Sequence, residues 1–165
     1  MRFAYADPPY LGYAKFYKDH PEHAVYDTLA GHVALFDRLM SDYSDGWAVS
    51  CTSGNLRDLF PITPVGTRVA AWVKPFASFK PGVAPAYAWE PVLFYGGRKR
   101  TRKEQTPRDW HSENITLRKG LVGAKPPGFA RWLLDLLNVR ADLGDTIDDL
   151  FPGTGGVLSA WRIGA

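Results

Sequence analysis

A chain of 165 residues has room for one domain of ordinary size, and 45% hydrophobic residues can fill its core. With 22% charged and 14% aromatic residues it is not a disordered chain; no apolar run approaches the ~18 residues of a membrane span, and the lone Cys51 excludes an internal disulfide framework and a cysteine-based zinc site. The net charge of +3 is unevenly placed: nine Lys or Arg and three acids between Arg98 and Lys125 put +6 there and −3 elsewhere, a basic flap suited to phosphate, with a solvated loop as the plainer alternative.

The chain opens Met1-Arg2-Phe3-Ala4-Tyr5-Ala6-Asp7-Pro8. It lacks the apolar stretch and small-residue cleavage site of a signal peptide, so a soluble cytoplasmic protein is expected. The apolar run 2–6 predicts a strand that stops at Asp7-Pro8-Pro9-Tyr10, because proline cannot donate to a ladder. Residues 11–31 have no period and predict a loop. Val33, Phe36, Leu39, Met40 and Tyr43 then recur at helical spacing and predict a helix over 32–43. A strand over 46–51, a short helix over 53–60 and a strand over 68–73 follow. The proline-rich stretch 75–85 predicts a loop, and 87–95 a strand ended by Gly96-Gly97.

The basic stretch runs from 98 to about 119. Pro126-Pro127 opens a helix whose buried face is Phe129, Trp132, Leu133, Leu136 and Leu137; proline fits the first turn because its missing N–H has no partner there. A short strand over 146–151 leads into the glycine turn Pro152-Gly153-Thr154-Gly155-Gly156, and 157–163 allows at most two helical turns. Strands alternating with helices predict an α/β fold: a mostly parallel sheet of about five strands, covered on both faces. No linker divides the chain, so 1–165 is expected to be a single domain with a basic insert at about 96–120.

In such sheets the ligand site lies at the carboxyl ends of the strands, and two segments have that form. After the last strand, Gly153 and Gly155 allow a sharp turn and close backbone approach to a nucleotide or nucleoside cofactor. The turn lacks the Gly-Lys-Ser/Thr of a P-loop and is not a dinucleotide fingerprint; an ordinary strand-to-helix turn is the alternative. After the first strand, the Asp7 carboxylate and the Pro8 carbonyl can accept two hydrogens from an exocyclic amine. Tyr10 offers a flat face to a base. A plain proline turn is the alternative there.

Together these residues resemble the amino-methyltransferases of nucleic acids. Asp7-Pro8-Pro9-Tyr10 matches the Asp-Pro-Pro-Tyr form associated with N6-adenine methylation. Asp149, Phe151, Gly153 and Gly155 match the Asp-x-Phe-x-Gly-x-Gly of the S-adenosylmethionine site, with Pro152 and Thr154 between them. The order, amine motif first and cofactor motif last, resembles the permuted β-type adenine methyltransferases and their MT-A70-like relatives. Lys125-Pro126 stands where these enzymes keep a Lys-Pro, and the segment 120–126 resembles phage and actinobacterial members.

The resemblance implies a Rossmann-like methyltransferase sheet, circularly permuted, with S-adenosylmethionine as cofactor and DNA as partner, RNA remaining open. It implies a flipped adenine held by Asp7 and the Pro8 carbonyl, with Tyr10 stacked on it, and direct in-line methyl transfer without metal or covalent intermediate. Gly153 and Gly155 would line the cofactor and Lys125 would meet its carboxylate. Arg98, Lys99, Arg100, Arg102 and Lys103 would bind phosphates from the position of a target-recognition insert. Lys74, at a strand end, is a further candidate for nucleic-acid contact.

The family continues past the cofactor turn with a helix and a strand bearing a ribose ligand. Only nine residues follow Gly156, and Val157–Ala165 holds no acid or amide. The sheet is therefore expected to be truncated at that edge. A compact cofactor site, a second subunit, or a non-catalytic nucleic-acid-binding relative are the alternatives; monomer and homodimer are undecided. A small-molecule methyltransferase leaves the basic stretch without a use. His20, His23 and His32 have no common metal spacing, so no metal is expected. Cys51 is expected to be a buried thiol, and Trp72 and Trp89 to be core.

Overall fold

Phe3, Ala4, Tyr5 and Ala6 are all buried, as a continuous apolar run must be when a strand is covered on both sides. In the computed structural model, which describes residues 1–13, 23–76, 81–115, 125–153 and 155–164, this segment is β1 (Arg2–Ala6). It is followed by α1 (His23–Tyr26), α2 (Leu29–Asp42), β2 (Gly46–Ser50), α3 (Leu56–Leu59), β3 (Arg68–Val73) and β4 (Trp89–Gly96). Then come β5 (Trp110–Ser112), α4 (Pro127–Leu137), β6 (Thr146–Asp149) and α5 (Gly156–Gly164). The six strands of the described residues form one sheet in the order β5-β3-β4-β2-β1-β6. β1 pairs in parallel with β2 and β6, and β3 with β5; only β4 runs the other way.

The strands are two-faced with period two. Phe3, Tyr5, Ala48, Ala70, Trp72, Val92 and Phe94 pack on one face against Phe129, Ala130 and Leu133 of α4 and Val157 of α5. Ala4, Ala6, Trp47, Val49 and Leu93 pack on the other against Leu35, Phe36 and Leu39 of α2 and Leu59 of α3. The expected α/β fold with helices on both faces is thus the observed one. No helix among the described residues is long and apolar enough to cross a membrane.

Several expectations shift in detail. The sheet has six strands rather than about five, because β5 lies inside the basic stretch. Its three residues have no alternation to announce them, and β3 recruits them as an edge. The 11–31 segment is not all loop: α1 lies in it, and α2 starts at Leu29, where the Thr28 hydroxyl accepts the Gly31 N–H at 3.1 Å. Residues 53–62 form a short α3 flanked by single 3₁₀ turns. Helix α4 starts at the proline pair, and α5 covers two turns and slightly more.

Direction decides what each loop can reach. Strands β1, β2, β3 and β6 end at one edge of the sheet, the carboxyl edge. Because β4 is reversed, its first residue Trp89 lies at that edge and its last, Gly96, lies opposite Gly46 at the amino edge. Gly96 has a φ of +67°, and a Cβ there would lie 2.6 Å from the Asp45 carbonyl oxygen, so only glycine fits this crossing. The sheet is about 17 Å tall, five residues of β1 at ~3.3 Å each.

Candidate active site

Asp7, Pro8, Pro9 and Tyr10 follow β1 directly, with both prolines buried. Lys125 stands just ahead of α4, Glu90 is the second residue of β4, and Lys74 is the first residue after β3. All of these meet at the carboxyl edge. The Lys125 ammonium lies 3.1 Å from Asp7 Oδ2 and 3.1 Å from Glu90 Oε2, and donates to the Tyr10 hydroxyl at 3.1 Å. The Tyr10 hydroxyl faces Asp7 Oδ1 at 3.1 Å and Glu90 Oε2 at 3.3 Å. Lys74 pairs with the other Glu90 oxygen, Oε1. The floor is aromatic: the Trp72 ring centroid lies 4.7 Å from the Lys74 ammonium and 5.6 Å from that of Lys125.

Two carboxylates and two ammonium groups thus share one largely buried cluster. Burial pushes the Asp7 carboxyl up from its ordinary value; Lys125 pulls it down and Glu90 adds to the rise. Burial also opposes the Glu90 charge, but Lys125 and Lys74 hold that carboxyl below its ordinary value. For Lys125 burial works against the charge, yet Asp7, Tyr10 and Glu90 overcome it and keep the ammonium well above its ordinary range. Beneath them the Tyr5 hydroxyl and Ser50 Oγ are 2.8 Å apart. Cys51 is buried beside the cluster, its thiol pushed up to about 12 chiefly by burial, which leaves it a packing residue.

The glycine turn lies against the same edge. β6 runs beside β1 with Asp149 opposite Tyr5, and the Leu150 N–H donates to the Tyr5 carbonyl at 2.9 Å. Asp149 Oδ1 accepts the Phe151 N–H at 3.3 Å, which bends the chain out of the strand. Its carboxyl is raised to about 6, mainly by burial, with the nearby Asp7 adding to the rise. Phe151 is turned into the α2 face, edge-on to Tyr26 at 5.0 Å. Pro152 and Gly153 are exposed. Gly153 and Gly155 have φ of +44° and +71°, and a Cβ at Gly155 would meet nothing within 4 Å. Glycine is needed here for the backbone conformation, and among the described residues nothing stands where a side chain at Gly155 would begin. Thr154 lies outside the described residues.

The cations expected on a nucleic-acid face are distributed otherwise. Arg98 follows Gly97 at the amino edge, where it pairs with the buried Asp145. Arg100 pairs with Asp135 near the end of α4 at 2.7 Å. Lys99, Arg102 and Lys103 are exposed beside them. This group therefore lies across the sheet from Asp7, because the reversed β4 delivers the chain to the opposite edge. Lys74 is drawn inward to Glu90, and its side chain is only 13% exposed. Arg118 and Lys119 lie outside the described residues.

Trp72 is core, but Trp89, the first residue of β4, is exposed. It lines a cavity of about 320 Å³ with Ser53, Pro85 and Tyr87. Glu90 is the site residue that sequence reasoning missed. Its signal is parity: it alternates with Val92 and Phe94, so an acid occupies an inward position on a buried strand.

No protein-family model matches the chain, and no curated protein matches it. Among solved structures the fold matches the crystal structure of M1.HpyAVI in complex with SAM, with a TM-score of 0.60 and 11% sequence identity, over 98% of this chain and 77% of that one.

Proposed function

We propose that the chain is an S-adenosylmethionine-dependent methyltransferase of the permuted β-type kind that methylates the N6 amine of adenine in DNA. The observation that carries this reading is the adjacency of two motifs about 140 residues apart in sequence: Asp7-Pro8-Pro9-Tyr10 and the turn after Asp149 flank neighbouring parallel strands and open at one edge. The fold's likeness to a structure bound to SAM supports the same assignment.

The residues of the turn fit the cofactor. Its glycines carry no side chain to cover the backbone, and Asp149 offers a carboxylate to a cationic amino group. S-adenosylmethionine supplies an activated methyl group when bound. The chain's own task is to present the acceptor. Asp7 and the Pro8 carbonyl accept the two N6 hydrogens of a flipped adenine, which turns the nitrogen lone pair away from them, and Tyr10 packs on the base. Most of the acceleration comes from this placement and from the fixed charges of the buried cluster. DNA rather than RNA follows the resemblance to phage and actinobacterial enzymes.

The test is calorimetric titration with S-adenosylmethionine, without and with an adenine-containing duplex, followed by transfer of a labelled methyl group. Saturable micromolar binding and label in N6-methyladenine are expected. Absence of binding in both conditions overturns this reading in favour of a non-catalytic relative or a subunit that needs a partner.

A further inference from the structure

Lys125 has three N–H donors, and three acceptors take them: Asp7 Oδ2, Glu90 Oε2 and the Tyr10 hydroxyl, each at 3.1 Å. Its side chain is 8% exposed. Glu90 in turn spans the cluster, with Lys74 on one oxygen and Lys125 and Tyr10 on the other. Among the described residues, Lys125 and Tyr10 bond to Asp7, and both also bond to Glu90. We propose that Glu90 and Lys125 are a positioning pair for the acceptor amine, holding Asp7 and Tyr10 in place. This inference rests on the methyltransferase reading for its kinetic consequence, but not for its electrostatic one.

The groups facing Asp7 come from every surrounding element. They are Lys125 ahead of α4, Glu90 on β4, Tyr10 in its own loop, Tyr5 in β1, Cys51 after β2 and Asp149 in β6, with Lys74 behind Glu90. Neutralising the two members of the pair has opposite consequences. Glu90→Gln removes a negative neighbour and lowers the Asp7 midpoint. Lys125→Met removes the positive one and raises it. Loss of structure alone does not move one group in both directions.

The experiment is a pH titration of the ¹³C-labelled Asp7 carboxyl by NMR in wild type and both variants, assigned with Asp7→Asn, together with kcat and S-adenosylmethionine affinity. Shifts of about one pH unit in opposite senses are expected. In both variants kcat should fall at least about tenfold, and Glu90→Gln should leave cofactor affinity within threefold of wild type. An Asp7 midpoint that does not move, or a kcat that stays within twofold of wild type in both variants, overturns the inference. Should Glu90→Gln fail to fold, Lys125→Met carries the test with its own sign. If the midpoints move as stated while wild type methylates nothing, the pair stands and the assigned activity falls.

Discussion

Asp7 is held between burial, which favours its neutral form, and Lys125, which favours its charge. An acceptor for an amine's hydrogens needs oxygen lone pairs rather than strong basicity. Asp7→Ala is therefore expected to abolish methyl transfer while leaving cofactor affinity within a few-fold, read by calorimetry and label incorporation; unchanged turnover would remove Asp7 from its role. Asp149 makes a pH prediction. With its carboxyl raised to about 6, it is largely neutral at pH 5 and charged at pH 7. If it meets the cofactor's cationic amino group, affinity falls as pH drops through 6, and Asp149→Asn flattens that dependence. The stability consequence has the opposite sense: the folded state holds this proton more tightly, so stability is greatest below the unfolded carboxyl value and declines as pH rises through about 6. Asp149→Asn should thus weaken cofactor binding yet raise the denaturation midpoint at pH 7. Asp7, Tyr10 and Asp149 were legible in the sequence because their neighbours are chemically distinctive. Glu90 was not, because β4 is buried on both faces at Val92, Leu93 and Phe94, so its pattern does not announce which parity leads into the site.

Helix α4 shows how an element is placed from outside itself. Pro126 precedes its first turn and supplies no side-chain cap. Glu113, just past β5, does so instead: its Oε2 accepts the Phe129 N–H at 2.9 Å and lies 3.0 Å from His111 Nε2. The His111 ring stacks on Trp132 of the same helix at 5.8 Å, and Trp132 Nε1 donates to the Arg108 carbonyl at 2.9 Å. The edge strand and the helix that follows Lys125 are therefore one unit. Glu113→Ala should cost about 1 kcal/mol, as loss of a helix cap does. Chemical denaturation measures that cost, and faster amide exchange in the first turn of α4 localises it; exchange unchanged there would remove Glu113 from the capping role. The start and apolar face of α4 could be read from the proline pair and the 3.6 period. β5 could not, since three residues carry no period and its pairing is set by an exposed edge of β3.

At the scale of the whole molecule, the reversed β4 separates charge from chemistry. The carboxyl edge holds both motifs, while Arg98 to Lys103 begins at the amino edge, about 17 Å away by strand length. The sequence showed that the stretch was basic, but its position depends on the sense of one strand, which hydrophobic pattern does not encode. Two of its cations are structural. Burial opposes the charge on Asp145, yet the Arg98 guanidinium, the chain's amino group and the Arg140 N–H hold its carboxyl well below the ordinary range. That stability is present above the unfolded carboxyl value and is lost as pH falls through the folded one. Arg98→Ala should therefore lower the denaturation midpoint at pH 7 and reduce its fall in acid. Lys99, Arg102 and Lys103 are exposed and available, so they separate two ways of holding a nucleic acid. A substrate confined to the carboxyl edge does not meet them. Changing all three to Gln should then leave methyl transfer and the salt dependence of binding unchanged. Each phosphate contact contributes about 0.9 to the slope of log K against log salt. A slope reduced by about two or more would show that the strand wraps from the carboxyl edge to the amino edge.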